Sequence, residues 1–229
     1  MIDTAVILAG GRARRLKKIT KDIPKSLVKF NKKPFLYYQL KLLKKNKIKN
    51  VVICTGHYSD QIEKYVKTTK LQMNILISKD GNKPLGTGGA LSKVTKKLKK
   101  SFFLIYGDSY LPTNFQKISK FFEENAFDIM ISAYKNLNAF DRSNILIKNN
   151  NLYYKKNVRN KNFKYIDYGL CIFGKNAKKY LPKKKVFDLS HFFHYLSKKK
   201  LLSFIIVKER FYEIGSFKGI NDFKKYLKK

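Results

Sequence analysis

Four short runs of consecutive apolar residues punctuate the first half of the chain: "AVILA" (5–9), "VVICT" (51–55), "NILIS" (74–78) and "FFLIY" (102–106). Their nearly continuous apolar character reads as buried parallel strands covered on both faces. Between them, "PFLYYQLKLLKKN" (34–46), "SDQIEKYVK" (59–67) and "GALSKVTKKL" (89–98) place apolar residues three or four apart. That spacing is the stripe of an amphipathic helix. Pro34 suits a first helical turn, where its missing N–H costs nothing. The alternation predicts an α/β fold: an open, mostly parallel, Rossmann-like three-layer sheet with helices on both faces. After Phe115 the rhythm changes. A helix (115–125) leads to "DIMISAY" (128–134) and then "SNILIKNNNLYY" (143–154), where "KNNN" reads as a hairpin turn. Apolar runs at 165–173 and 202–208 and helices near 188–199 and 217–227 complete a mixed-sheet second half. With no internal repeat, low-complexity linker or second core, one domain over 1–229 is expected.

Composition narrows the functional classes. At 229 residues, 44% of them hydrophobic and 14% aromatic, the chain is long and apolar enough to bury a core and too apolar for disorder. Its formal charge is +36, from 51 Lys and Arg against 15 Asp and Glu. Such an excess ordinarily points to nucleic acid or an anionic membrane. Only six of the cations are arginine, however, and the lysines recur along the whole chain. That distribution reads as compositional drift on solvated faces, so nucleic acid is not the expected partner. Cys54 and Cys171 are far apart in apolar surroundings, which predicts buried free thiols in a reducing compartment. The first apolar run is too short for a secretory signal, and nothing approaches a membrane-spanning length. A cytoplasmic protein without membrane partners is expected.

The chemistry concentrates in glycine-bearing segments that follow strands, where open parallel sheets bind ligands. The first is "GGRARR" (10–15). Gly10 and Gly11 let the backbone approach an anion closely and present N–H groups to it. Arg15 can fork onto phosphate oxygens, and Lys25, after Pro24, adds a point charge from a segment that proline keeps out of helix. The second segment is "PLGTGGA" (84–90), at a helix start, and the third is "YGDS" (106–109), where a carboxylate directly follows a strand. Neither GxxxxGK[ST] nor GxGxxG is present, which excludes a P-loop and a dinucleotide fingerprint. Together the segments describe a site for a nucleoside triphosphate and a divalent metal.

The order "LAGGRARRL…IPKSL…PLGTGGAL…YGDS…FYEIGS" resembles the nucleotidyltransferases that join a sugar 1-phosphate to a nucleoside triphosphate. The resemblance runs from Leu8 to the terminal helix and is nearest in look to heptose- and mannose-1-phosphate guanylyltransferases. It implies a minimal, catalytic-domain-only member with Mg²⁺ as cofactor. It implies a triphosphate held by Leu8, Ala9, Gly10, Gly11 and the following loop, with Arg15, Lys25 and Asp108 as catalytic groups. Pro84, Leu85, Gly86, Thr87 and Gly88 would contact the nucleotide, the Gly86–Gly89 loop facing the base by close backbone approach. Asp108 matches the magnesium aspartate, and Glu213 in "YEIG" takes the place of the second metal-binding aspartate. "YIDYGLCIF" resembles the sugar-contacting segment, giving Asp167 and Gly169; Gly107 and Lys156 are further sugar-side candidates, with Lys155 as the rival to Lys156.

The implied reaction transfers a nucleoside monophosphate to the sugar 1-phosphate and releases pyrophosphate, GTP with a heptose or mannose 1-phosphate being favoured. The alternatives are a uridylyl- or cytidylyltransferase, acting on another sugar phosphate or a phosphorylated amino alcohol, and a non-catalytic polyanion-binding module. A homo-oligomer is compatible with the sequence. The departures from the family pattern are Ala13 for its third glycine, Arg14 for its Thr or Ser, Glu213 for Asp and Asp167 for Asn. Among the remaining features, "HFFH" places His191 and His194 at helical spacing, which packing and exposure explain better than zinc. His57 reads as a turn residue, Asp141 and Arg142 as a local ion pair or a sugar-side contact, and the tyrosines of 153–168 as a half-buried sheet.

Overall fold

In the computed structural model, which describes residues 1–11, 16 and 22–228, the apolar runs become strands within a residue or two of the positions that periodicity gives. In chain order the strands are β1 (Thr4–Leu8), β2 (Lys29–Phe30), β3 (Lys33–Pro34), β4 (Asn50–Thr55), β5 (Asn74–Lys79), β6 (Phe102–Tyr106), β7 (Ser109–Tyr110), β8 (Ile129–Lys135), β9 (Ile145–Lys148), β10 (Asn151–Tyr154), β11 (Tyr165–Phe173), β12 (Ser203–Val207) and β13 (Tyr212–Glu213). The helices are α1 (Phe35–Lys45), α2 (Ser59–Thr68), α3 (Gly86–Thr95), α4 (Phe115–Glu124), α5 (Leu189–Lys198) and α6 (Phe217–Tyr226).

Among the described residues, nine strands form one sheet. Its main run is β5-β4-β1-β6-β11-β8-β12, in which β1 pairs in parallel with β4 and β6, β4 with β5, and β8 with β12. Only β11 runs against its neighbours β6 and β8. The β9–β10 hairpin joins at the start of β11 through the pairing of Tyr165 with Ile145, and its turn residues Asn149 and Asn150 both take positive φ (48° and 59°). That conformation is the two-residue turn that matches strand twist, and Asn tolerates it. After β1 the chain builds β4 and β5 on one side, then crosses back to β6 on the other. The reversal opens a crevice at the carboxyl ends of these strands.

Side-chain alternation along β1 assigns the two helical layers. Val6 and Leu8 face a core shared with Leu91 and Val94 of α3 and Phe192, Phe193 and Leu196 of α5. Ala5 and Ile7 face a second core with Leu36 and Leu40 of α1, Ile62 of α2 and Ile118 of α4. A third cluster lies outside the sheet, where α6 docks Ile220 and Phe223 onto Val28, Phe30, Phe35 and Ile214. Phe223 is fully buried, with its ring 4.9 Å from Phe30 and 5.1 Å from Phe35. Cys54 and Cys171 are free and buried, and burial pushes the Cys54 thiol up to about 12.

Two expectations need correction. The run 74–78 is a strand but not a doubly covered one: β5 is the sheet's edge, and Leu76 is 68% exposed. A short apolar run has no periodicity that separates an edge strand from a central one. Helix α3 begins at Gly86 rather than Gly89, because its first turn is held from outside, as described below. Among the described residues, no helix is long and apolar enough to cross a membrane.

Candidate active site

Loops at the carboxyl ends of β1, β4, β5 and β6 converge, and their backbone contacts are close. Ala9 N donates to Cys54 O (2.8 Å), Gly107 N to Leu8 O (2.9 Å) and Asp80 N to Thr55 O (2.9 Å). A Cβ on Gly107 would lie 2.7 Å from Leu8 O, so this position admits no larger residue without movement. Two clefts open along this edge. The first, about 620 Å³, is lined by Gly10, Gly56, His57, Asp80, Gly81 and Pro84, among others. The Asp80 carboxylate sits in its wall and accepts from Leu85 N (3.2 Å). Burial raises the Asp80 pKa, opposed by that hydrogen bond and by Lys93.

The second cleft, about 550 Å³, holds Asp108 and Glu213 in its wall, with Tyr106, Lys156, Asp167 and Asp188 further round. Asp108 and Glu213 are 105 positions apart in sequence and meet because β13 pairs with β7, Glu213 opposite Ser109. Ile214 N donates to Asp108 O (2.9 Å), which fixes the register of that approach. Lys25 Nζ donates to Asp108 Oδ2 at 2.8 Å. The Glu213 carboxylate accepts from Gly215 N and from Ser216 Oγ. A Cβ on Gly215 would lie 2.8 Å from Glu213 Oε2, 3.4 Å from Asp108 Oδ2 and 3.5 Å from Lys25 Nζ. The glycine therefore keeps open the point at which two carboxylates and an ammonium converge. Gln39, a buried residue of α1, holds the turn that carries Asp108: its Nε2 donates to Tyr106 O (3.0 Å) and Ser109 O (2.7 Å).

Asp167 lies deeper in the second cleft. Its carboxylate accepts from Tyr106 OH (3.0 Å) and Gly169 N (2.9 Å). Burial pushes its pKa up to about 6, against the opposing pull of those donors and of Tyr154. Gly169 has φ +89°, where the pairing of β11 with β8 shifts register between Asp167 and Cys171. This bulge needs a glycine, and it aims Asp167 into the cleft.

The structure thus gathers Gly10, Asp108, Lys25, Glu213, Asp167 and Lys156 at one edge of the sheet. Lys156 lines the second cleft, and Lys155 does not. Leu8 and Ala9 lie at the carboxyl end of β1, bonded through their backbones to Gly107 and Cys54, and line neither cleft; Leu8 is buried. Gly11 is exposed beside the loop, and Arg15, with Arg12, Ala13 and Arg14, lies outside the described residues.

The glycines of "PLGTGGA" behave differently from the expectation. Pro84 lines the first cleft, but Gly86 and Gly88 turn toward the protein's own chain at 185–187. A Cβ on Gly86 would lie 2.6 Å from Phe187 O, and one on Gly88 would collide with the Phe187 ring. Gly88 N and Gly89 N both donate to Phe187 O (3.0 and 3.3 Å), and Phe187 N donates to Leu85 O (3.2 Å). Close backbone approach there serves helix-to-loop packing, and Thr87 lies in the wall of the second cleft, not the first. Asp141 and Arg142 also line the second cleft; Asp141 accepts from the Arg142 backbone N (2.7 Å), and no ion pair joins their side chains among the described residues. His194 donates through Nδ1 to Tyr154 O (2.6 Å), and His191 is exposed on the same helix. Gln39, Asp80 and Asp188 carried no sequence signal of a site, since Gln39 reads as one polar residue in an amphipathic helix and Asp188 as a helix cap.

Among the described residues no three His, Cys, Asp or Glu side chains cluster to hold a metal. Two carboxylates around an open glycine instead suit a hard divalent cation that takes its remaining ligands from phosphate oxygens and water.

Comparison with known proteins places the fold and the first half of the chain. A family model described as nucleotidyl transferase matches residues 4–141. The D-glycero-alpha-D-manno-heptose 1-phosphate guanylyltransferase of Campylobacter jejuni is 38% identical over 114 residues, 50% of this chain and 51% of that protein. The chain thus spans about half the length of that relative. The solved structure of HddC from Yersinia pseudotuberculosis superposes with a TM-score of 0.82 at 23% identity, covering 99% of this chain and 100% of that one. The inositol-1-phosphate CTP transferase of T. maritima gives 0.82 at 20% identity, covering 100% and 97%. At these identities the two structures share the fold, which is the mixed, mostly parallel architecture described above.

Proposed function

The chain belongs to the nucleotidyl transferase family, and from that membership we propose that it transfers a nucleoside monophosphate from a nucleoside triphosphate to a sugar 1-phosphate. The observation that carries the reading is the convergence of Lys25, Asp108 and Glu213 on Gly215, in the wall of the second cleft and at the carboxyl edge of β1 and β6. The triphosphate takes the first cleft and the sugar phosphate the second. An acceptor phosphate oxygen attacks the α-phosphorus in line, the bond to the bridging β-phosphate oxygen breaks, and pyrophosphate leaves. The acceptor oxygen is already anionic, so the chain needs no strong general base. Its contribution is orientation and charge neutralisation.

Lys25 neutralises the α-phosphate, with Asp108 fixing its ammonium. Gly10 and the adjoining loop cradle the phosphates, and Arg15 joins them by its place in the motif. Asp108 and Glu213 would hold a divalent cation, Mg²⁺ in this reading, which supplies charge neutralisation on the phosphate oxygens. Lys156 meets the acceptor phosphate, and Asp167 accepts from acceptor hydroxyls.

GTP is the favoured donor. The guanylyltransferase relative supports that choice, and so does Asp80. Guanine presents two adjacent donors, N1–H and N2–H₂, which a carboxylate can accept together. Uracil presents a single donor flanked by two carbonyl acceptors, which a carboxylate repels. The test is pyrophosphate release over a grid of nucleoside triphosphates and sugar 1-phosphates, heptose and mannose among them, with Mg²⁺ present. One pair should turn over, with Asp108→Asn lowering the rate roughly 10²–10³-fold, the scale of losing a preorganised electrostatic contact. Asp80→Asn should relax the preference for guanine. Silence of the folded wild type across the grid defeats the proposal.

A further inference from the structure

The segment 185–188 packs against the start of α3, and its last residue, in the wall of the second cleft, holds a working side chain in place. Asp188 caps α5, its Oδ1 accepting from Ser190 N and Ser190 Oγ (both 2.8 Å) with Thr87 Oγ1 at 3.5 Å. Its other oxygen, Oδ2, accepts from Lys156 Nζ at 3.3 Å. The two partners of this ion pair are unequally fixed. Asp188 is held by groups from α3 and α5, whereas Lys156 is a flexible four-carbon stem just after β10, its side chain 55% exposed. A half-solvated pair of this kind adds little to stability. It does set where the ammonium points, and both residues lie in the wall of the second cleft.

The anchor is itself braced. Leu189 N donates to Thr87 Oγ1 (2.9 Å), and Phe187 O accepts from Gly88 N and Gly89 N, so the start of α5 is fastened to the start of α3. A lysine ammonium has three donors. One committed to Asp188 leaves two for an incoming anion and removes the rotamer freedom that binding would otherwise have to freeze.

We propose that Asp188 is the positioning residue for Lys156, holding its ammonium over the second cleft for the phosphate of the acceptor. The inference rests on the reading that this cleft takes a sugar 1-phosphate. It extends that reading to a residue beyond the 4–141 segment that the family model matches.

Asp188→Asn tests it, because asparagine caps helices as well as aspartate does while removing the charge that holds Lys156. Lys156→Ala and the double variant complete a cycle. With the pair of substrates that the wild type turns over, Asp188→Asn should raise the KM for the acceptor roughly tenfold, the scale of one hydrogen bond to a charged group, and leave the KM for the nucleotide within about twofold. The double variant should be no worse than Lys156→Ala alone, since the residues act as a unit. Asp188→Glu should recover part of the loss. Additive losses, an unchanged acceptor KM, or an equal rise in both KM values would overturn the role of Asp188 while leaving the reaction intact. A wild type silent with every substrate pair would overturn the reaction and this role together.

Discussion

A single carboxylate, Asp167, carries a pH dependence whose sign the surroundings fix. Burial raises its pKa to about 6 while Tyr106, Tyr154 and Gly169 oppose the rise, so the folded protein binds this proton more tightly than the unfolded chain does. Its contribution to stability is therefore full below the unfolded pKa and lost as pH rises through about 6. Function runs the other way. In the proposed reaction an ionised Asp167 accepts from acceptor hydroxyls, and a protonated one surrenders part of that capacity. The KM for the sugar phosphate should rise as pH falls below about 6, with the KM for the nucleotide flat across the same range. Asp167→Asn should abolish that acid limb and raise Tm at pH 8 relative to the wild type, because no buried charge remains. Steady-state kinetics over pH 5 to 8 and thermal melts at both ends decide it. An acid limb that survives the substitution assigns the titration to another group.

At the scale of elements, α6 determines where Glu213 points. Ser216, its N-cap, accepts from Gly219 N (2.9 Å) and donates to the Glu213 carboxylate, so the helix and the carboxylate are fixed by one hydroxyl. Phe223 presses that helix onto Phe30, Phe35 and Tyr110. Phe223→Ala should cost about 3–5 kcal/mol, lowering Tm by roughly 10 °C. It should also weaken activation by the divalent metal, since Glu213 loses its brace. Urea unfolding and a metal titration of activity test both, and a destabilised variant with wild-type metal dependence separates α6 from the site. The long elements were legible because continuous apolar runs and three-to-four spacing are local signals. The ribbon of β7 and β13 was not, because two-residue strands have no period. Yet that ribbon is what brings Asp108 to Glu213, so Asp108 could be read from its place after a strand, but Glu213 as its partner only through the resemblance to a family motif. The same limit hid Asp188, whose meeting with Thr87 and Lys156 depends on how α3 and α5 pack. The glycines of "PLGTGGA" were visible as close approaches, but sequence could not tell a ligand from the protein's own loop at 185–187.

Over the whole molecule the charge of +36 on 229 residues is a field rather than a site. The few ion pairs among the described residues do little to offset it: Lys25–Asp108 is half-buried at the candidate site, while Lys67–Glu63, Lys79–Asp60 and Lys120–Glu124 are surface pairs of small individual worth. Self-repulsion among cations spread over every face opposes the compact state, and it weakens as salt shortens the screening length from about 30 Å at 10 mM to about 8 Å at 0.15 M. The fold should therefore be more stable in moderate salt than in low salt. Each kcal/mol of relieved repulsion corresponds to roughly 2–4 °C in Tm for a chain of this size. The two readings of the lysines diverge at this point. If they form a solvated background, Tm climbs with sodium chloride, and added RNA or DNA at physiological salt stabilises no further. If they form a polyanion-binding surface, nucleic acid raises Tm at low salt and loses that effect steeply as salt increases, with a slope set by the phosphates contacted. The scatter of lysines through sheet edges, helix faces and turns alike favours the first outcome, and paired melts with and without duplex DNA at two salt concentrations distinguish them.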